Sequence, residues 1–303
     1  MQKINVAIIG WGNVGRGCKR AISECKDMRL VGVVRRPASL YKNREELQDT
    51  IVVSDVSELK NKPDVLLLCI PSREVPAKVK VYQDMGYCTV DSYDEHENIP
   101  VFRREADISA KATNTVSIIS AGWDPGTDSM VRALMKIVSI TGRTTTTFGG
   151  EKGGRSMGHT AAVKAIEGVV DAVALTLANG RGNQKRRVYV QVDKKENETR
   201  IEKMIKTDPY FINDPTEVLF VKDINKYNTL HHEGEVERTA QEVNQKYVVE
   251  GVNPEFTANV MVASARAVIN AKNKEAYGAY TLLELPLISF LPGATTEEKL
   301  EGY

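Results

Sequence analysis

The sequence predicts an α/β fold, a doubly wound parallel sheet joined to a second, α+β domain. Three observations carry this. The first 120 residues alternate short β-branched runs with longer amphipathic stretches, a glycine-rich turn follows the first run, and beyond about residue 141 continuously apolar strands give way to alternating ones. Runs at 6–9, 30–34, 65–70, 88–90 and 116–119 are apolar nearly throughout, the habit of strands covered on both faces by crossover helices. Helices fit between them, for example at 14–25 and 75–85. Gly122-Trp123-Asp124-Pro125-Gly126 then interrupts the pattern, and Thr127 or Asp128 is expected to cap the next helix. Residues 144–148, 187–192 and 247–249 alternate like one-sided antiparallel strands. A long Ala/Val-rich helix is expected over 255–271, and the Pro- and Leu-rich stretch 285–292 is expected to return to the first domain. The expected division is residues 1–121 plus about 255–303 for a discontinuous first domain, and 122–254 for the second.

Composition agrees with two domains, since 303 residues at roughly 100–200 per domain gives that number. Lys and Arg total 41 against 40 Asp and Glu, so a net charge of +1 offers no global field for a nucleic acid or an anionic membrane. A small-molecule partner is expected instead. No apolar run approaches the roughly 18 residues a membrane span needs. The first six residues already enter a strand pattern, which leaves no room for a signal peptide and points to the cytoplasm. Cys18, Cys25, Cys69 and Cys88 lack CxxC spacing and three of them fall at positions that read as buried, so neither a disulfide framework nor a zinc site is expected. The glycosylation sequon at Asn197-Glu198-Thr199 is discounted in such a chain.

Gly10-Trp11-Gly12-Asn13-Val14-Gly15 directly follows the first strand and opens the first helix, the context a dinucleotide fingerprint requires. Gly10 permits the tight turn, Gly12 lets backbone N–H groups approach a pyrophosphate, and Gly15 lets the helix pack against the strand, so the sheet is of Rossmann type. The second strand runs into Arg35-Arg36 rather than into the Asp or Glu that binds an NAD ribose. Planar guanidiniums suit a 2′-phosphate, and NADP is the expected cofactor. Pro71-Ser72-Arg73 leaves another strand at its carboxyl end, where such sheets place ligands, and is a further candidate for cofactor contact.

Asp91-Ser92-Tyr93-Asp94 and Trp123-Asp124 leave two more strands at the same rim. Carboxylates beside a nicotinamide suit a cationic group such as an ammonium, although Asp also caps helices and starts turns. Position favours chemistry for Asp94 and Asp124. In the second domain, Phe148-Gly149-Gly150 and Ser156-Met157-Gly158-His159-Thr160 lead into a helix whose N–H groups suit a carboxylate. Thr176, Arg186, Arg187, His231 and His232 are further candidates, and arginine is the best partner for a carboxylate fork. No His, Cys or carboxylate spacing indicates a metal.

Together these motifs, with Gly122-Trp123-Asp124-Pro125-Gly126, Met157-Gly158-His159-Thr160 and Asn253-Pro254, resemble the meso-diaminopimelate dehydrogenase family over nearly the whole chain. The short version with His159 looks like the branch acting on other D-amino acids too. The resemblance implies an NADP-dependent, reversible oxidative deamination at the D-centre of meso-2,6-diaminopimelate, giving L-2-amino-6-oxopimelate, ammonia and NADPH, in lysine and cell-wall precursor synthesis. It also implies a homodimer. Asp94 and Asp124 would hold the reacting ammonium, with Trp123 beside them. Met157 and Gly158 would hold the adjacent carboxylate against an aromatic wall at Phe148. Thr176, Arg186 and one of the two histidines, His232 being favoured, would hold the distal carboxylate, and Asn253 the distal amine. A water must then attack the iminium, and no general base for that step is evident. The segment 230–236 is more acidic than the family's Gly-rich loop, which leaves the choice of histidine open. Two alternatives are a 4-hydroxy-tetrahydrodipicolinate reductase-like enzyme, suggested by the paired histidines but lacking a following Lys, and a non-catalytic NADP-sensing protein. An aldehyde dehydrogenase is excluded because every cysteine precedes residue 89.

Overall fold

The computed structural model describes residues 3–40, 44–150, 153–180, 183–194, 197–229, 231–293 and 295–301; of Ala38 and Arg44 the backbone alone is described. Met1 and Gln2 of the expected first strand lie outside the described residues. The chain forms two compact units, residues 1–130 with 254–303, and residues 131–253.

Unit 1 begins as alternation dictates: β1 (Ile4–Ile9), α1 (Asn13–Ser23), β2 (Met28–Val34), β3 (Val52–Val53), β4 (Val65–Leu68), α2 (Val75–Asp84), β5 (Cys88–Asp91), α3 (Ile99–Ala112), β6 (Val116–Ile118) and the start of α4 (Thr127–Val138). Side chains on one strand point alternately to the two faces, and here both faces are buried. Val6, Ile8 and Leu67 enter one core, while Ala7, Ile9, Leu66 and Leu68 enter the other. That double burial explains the unbroken apolar runs.

The chain passes through unit 2 as β7 (Arg143–Phe148), β8 (Gly154–Arg155), α5 (Met157–Lys164), β9 (Val169–Ala178), β10 (Gln184–Val192), α6 (Glu198–Thr207), β11 (Thr216–Phe220), β12 (His231–Thr239) and β13 (Asn244–Val252). It re-enters unit 1 with α7 (Asn253–Asn273), β14 (Gly278–Tyr280) and α8 (Thr296–Leu300). The parallel sheet of unit 1 has the order β14-β6-β5-β4-β1-β2-β3. Strand order therefore reverses between β1 and β4, the switch point at which such sheets bind ligands. Ala258, Met261, Val262 and Ala265 of α7 fill the core beneath α1, and Leu285 and Phe290 of the tail pack on the same core. Cys18 and Cys88 are buried and Cys25 and Cys69 half-buried, one fewer buried than expected, and all four are free thiols.

Unit 2 holds a four-stranded sheet, β11-β10-β9-β8, and an antiparallel three-stranded sheet, β13-β12-β7. The expectation of antiparallel strands fails at one place: β11 pairs with β10 in parallel. The reason is α6, which carries the chain back to the starting edge, as parallel pairing requires. Phe211, Ile201 and Ile205 pack on Val188 and Val190 to form the core of this sheet.

The three-stranded sheet is tied to the end of α4 by one cation. Arg238, 3% exposed, donates from Nε and Nη2 to Ser139 O at 2.9 and 2.6 Å, and from Nη2 to Thr141 O at 2.9 Å. These carbonyls follow the helix, where orphan acceptors and the negative end of the dipole favour a cation. Arg238→Met is expected to destabilise unit 2 by about 2–3 kcal/mol, because the buried Ser139 carbonyl and the more exposed ones after it lose their donor at once. Urea unfolding followed by a probe in unit 2 measures this, and a loss below about 1 kcal/mol would show that the carbonyls find other partners.

Candidate functional site

In unit 1 the loops after β1 and β4 meet at the switch point. Gly10 has φ +96°, and a Cβ there would lie 2.4 Å from Cys69 O, so only glycine fits. Gly12, the N-cap of α1, supplies no capping side chain, a Cβ there would meet nothing within 4 Å, and the first turn holds no acid. The N–H groups of Asn13, Val14 and buried Gly15 thus open a helix whose positive end is not neutralised from within its own first turn. This is the cradle an anionic pyrophosphate needs.

Arg35 and Arg36 leave β2 differently from the expected matched pair. Arg35 is 8% exposed and its guanidinium pKa is lowered by burial and by the nearby Arg16, whereas Arg36 is exposed. Glu46 partly offsets that repulsion, and a dianion would add to the offset. Arg16 is held by Glu46, which also accepts from Trp11 Nε1 at 2.9 Å. Pro71, Ser72 and Arg73 begin a 3-10 turn after β4, and Arg73 lies 3.7 Å from Glu95. The residues present fit NADP.

Asp94 and Asp124, both half-buried, follow β5 and β6 at the carboxyl rim. A residue that sequence reading took only as a possible cap ties their loops together. Asp91 Oδ1 accepts from Tyr93 N and from Ser120 N, each at 3.0 Å, and Asp91 O accepts from Ala121 N at 2.7 Å. His96 Nε2 lies 3.6 Å from Asp124 Oδ2, a second tie between the same loops. Trp123 is buried beside Asp124. Burial pushes the Asp91 carboxyl up to about 7, against the pull of the two backbone N–H groups. The folded state therefore holds this proton more tightly than the unfolded chain, whose carboxyl has the ordinary value of 3.8. The expected result is a stability that falls as pH rises from about 4 to about 7 and is level above. Asp91→Asn keeps the acceptor and cannot ionise, so it should flatten that limb by up to about 1.4 kcal/mol per pH unit in urea titrations. An unaltered slope would mean that Asp91 is ionised in the fold.

In unit 2 the alternation of β12 separates the two histidines. His232 points inward with Gly234, Val236 and Arg238, is 5% exposed, and faces the Phe148 ring at 6.2 Å between centroids. Burial first, then His231 and Arg186, lowers its pKa to about 4, so the ring is neutral at pH 7. His231 points outward, 3.7 Å from Glu250. Arg186 sits opposite Thr176 in the β10–β9 register, and its Nη1 donates to Thr176 Oγ1. Arg187 alternates to the other face and pairs with Glu217, so it stands apart from this cluster. Met157 and Gly158 open α5 behind Ser156, which does not cap the helix because its Oγ bonds His159 Nδ1 at 2.8 Å. His159 packs edge-on against Tyr210 and Phe211, and burial lowers its pKa to about 3. Asn253, at the start of α7, spends its Nδ2 on Arg155 O at 2.8 Å, which leaves Oδ1 as the acceptor. Among the described residues no group of three or more His, Cys, Asp or Glu side chains is placed to hold a metal ion.

The chain is similar to known proteins over nearly its whole length. A family model described as NADP oxidoreductase coenzyme F420-dependent matches residues 5–85. The chain is 40% identical to the meso-diaminopimelate D-dehydrogenase of Bacteroides fragilis over 306 aligned residues, 98% of each chain. Among solved structures it resembles the C. glutamicum DAP dehydrogenase in complex with DAP, with a TM-score of 0.85, 32% identity and 97% of each chain covered. It also resembles an engineered D-amino acid dehydrogenase bound to NADP+, with a TM-score of 0.86, 30% identity and 98% of each chain covered.

Proposed function

Because the chain belongs to the meso-diaminopimelate D-dehydrogenase family, we propose that it catalyses the NADP-dependent, reversible oxidative deamination of the D-centre of meso-2,6-diaminopimelate. The products are L-2-amino-6-oxopimelate, ammonia and NADPH, and other D-amino acids are also substrates. The observation that carries this reading is the placement of Asp94 and Asp124 on the same carboxyl rim as the uncapped glycine loop.

Unit 1 acts as the dinucleotide-binding domain. Its α1 N–H groups take the pyrophosphate, Arg35 and Arg36 take the 2′-phosphate, and Pro71, Ser72 and Arg73 contact the cofactor where β4 ends. Bound NADP supplies the hydride acceptor. Asp94 and Asp124 hold the ammonium of the reacting centre by charge, with buried Trp123 beside Asp124. That nitrogen must lose a proton before its lone pair can form a C=N bond, and the carboxylates are the acceptors at hand.

Unit 2 acts as the substrate-binding and dimerisation domain. Met157 and Gly158 direct N–H groups at the carboxylate of the reacting centre, with Phe148 as an apolar wall. Thr176, Arg186 and His232 take the distal carboxylate and Asn253 Oδ1 the distal amine. Positioning of this kind can supply on the order of 7–11 kcal/mol of barrier reduction. The homodimer reading draws support from Ile137 and Ile140, 78% and 92% exposed at the end of α4. No helix among the described residues is long and apolar enough to cross a membrane, and a cytoplasmic location is part of the same proposal. The similarity to meso-diaminopimelate D-dehydrogenases supports the dehydrogenase reading over the reductase-like and NADP-sensing alternatives.

The test is NADPH formation from meso-diaminopimelate at alkaline pH, beside D-lysine, D-alanine and L,L-diaminopimelate. Turnover of the meso compound and none of the L,L isomer is expected. Inactivity toward the meso compound would overturn the substrate, and turnover of L,L-diaminopimelate the stereochemistry.

A further inference from the structure

The proposed distal site contains a carboxylate of its own. Arg186 is 7% exposed, and its Nε and Nη2 lie 2.8 and 2.7 Å from a single oxygen of Asp214, while its Nη1 is engaged by Thr176. Asp214 also accepts from Gln184 Nε2 at 3.3 Å, and the backbone N–H of Arg186 donates to Pro215 O at 2.8 Å, so the β10–β11 edge holds the two charges together. His232 and His159 add no charge near neutrality, since burial keeps both rings unprotonated. Arg187, which would add one, points to the opposite face toward Glu217. Among the described residues, the closest charge to the Arg186 guanidinium is thus the Asp214 carboxylate.

We propose that Asp214 is the specificity-determining residue of this site: by neutralising Arg186 it removes most of the electrostatic preference for a distal carboxylate, and so admits D-amino acids whose side chains end in neutral or cationic groups. The inference rests on the reading of unit 2 given above. A distal carboxylate that approaches Arg186 meets the like charge of Asp214 at close range, whereas an ammonium meets an attractive one. A neutral side chain meets neither charge uncompensated. Discrimination then falls to shape, which separates substrates far less sharply than an unpaired charge does.

Three substrates built on the same six-carbon chain isolate the charge: D-2-aminoadipate, D-norleucine and D-lysine. In the native enzyme, kcat/KM for D-2-aminoadipate and D-norleucine should agree within about tenfold. Asp214→Asn keeps an oxygen for the guanidinium and removes the charge. It should raise the ratio of D-2-aminoadipate to D-lysine by at least about tenfold, chiefly through KM. Arg186→Met leaves Asp214 unopposed and should move the same ratio as far in the opposite direction. A merely structural role for the pair would lower all three substrates together and leave the ratio in place, which overturns the inference, as does a ratio that moves the same way in both variants. If Asp214→Asn fails to fold, the Arg186→Met arm still decides. A native enzyme that turns over none of these substrates and no meso-diaminopimelate would overturn the proposed function itself. Turnover of meso-diaminopimelate with ratios unmoved would overturn only the role of Asp214.

Discussion

Asp124→Asn is expected to lower kcat/KM for meso-2,6-diaminopimelate about 10²–10³-fold with NADPH binding unchanged. The substitution is isosteric and keeps one acceptor oxygen, so the loop after β6 should retain its shape. What disappears is the charge that offsets a partly desolvated ammonium and accepts its proton. Truncating one partner of a buried charge pair costs about 2–5 kcal/mol. The Asp124 side chain is 24% exposed, so water screens part of the interaction and the middle of that range applies. The loss should fall on kcat, since the charge is needed most when the nitrogen must be deprotonated. Asp94→Asn should behave similarly. The double variant should lose less than the product of the two, because two carboxylates serving one nitrogen act as a unit. Steady-state kinetics with cofactor affinity measured separately decides the matter. Activity within about fivefold of native would remove Asp124 from the reaction.

The parts of this arrangement that were legible in the sequence are those that periodicity and turn chemistry encode. The unbroken apolar runs of β1 and β4 report burial on both faces, and Gly10 reports a turn that no other residue can make against Cys69 O. Asp94 and Asp124 were visible because strand ends of a parallel sheet share one rim. Long-range pairing was not visible. Asp91 looks like a local cap until Ser120 N, which comes 29 residues later, is seen to donate to it. Asp214 sits in a stretch that reads as a turn, and nothing in its neighbours announces Arg186, 28 residues earlier. The parallel register of β11 on β10 depends on α6 as a crossover, whereas alternation alone is the same for either direction of pairing. Neighbouring histidines present the converse case. Period-two alternation already requires that His231 and His232 face opposite ways, but which one turns inward depends on the register of β12 against β7 and β13.

Replacing both Arg35 and Arg36 by alanine should raise KM for NADPH about 10²–10³-fold and change KM for NADH little. Hydrogen bonds to charged groups contribute about 1.5–3 kcal/mol each, and a 2′-phosphate offers oxygens to both guanidiniums. NADH has a hydroxyl at that position and forfeits nothing. The two arginines should not contribute alike. Exposed Arg36 acts through solvent, so its share should shrink as salt rises toward 1 M, where the screening length falls to about 3 Å. Buried Arg35 is screened less and already bears the cost of lying near Arg16. Its share should persist in salt. Loss of affinity for NADPH and NADH in equal measure would instead mean that these side chains support the β2 turn for either cofactor. The preference for the phosphorylated dinucleotide would then have to originate at another cation, and Arg73 after β4 is the next to test.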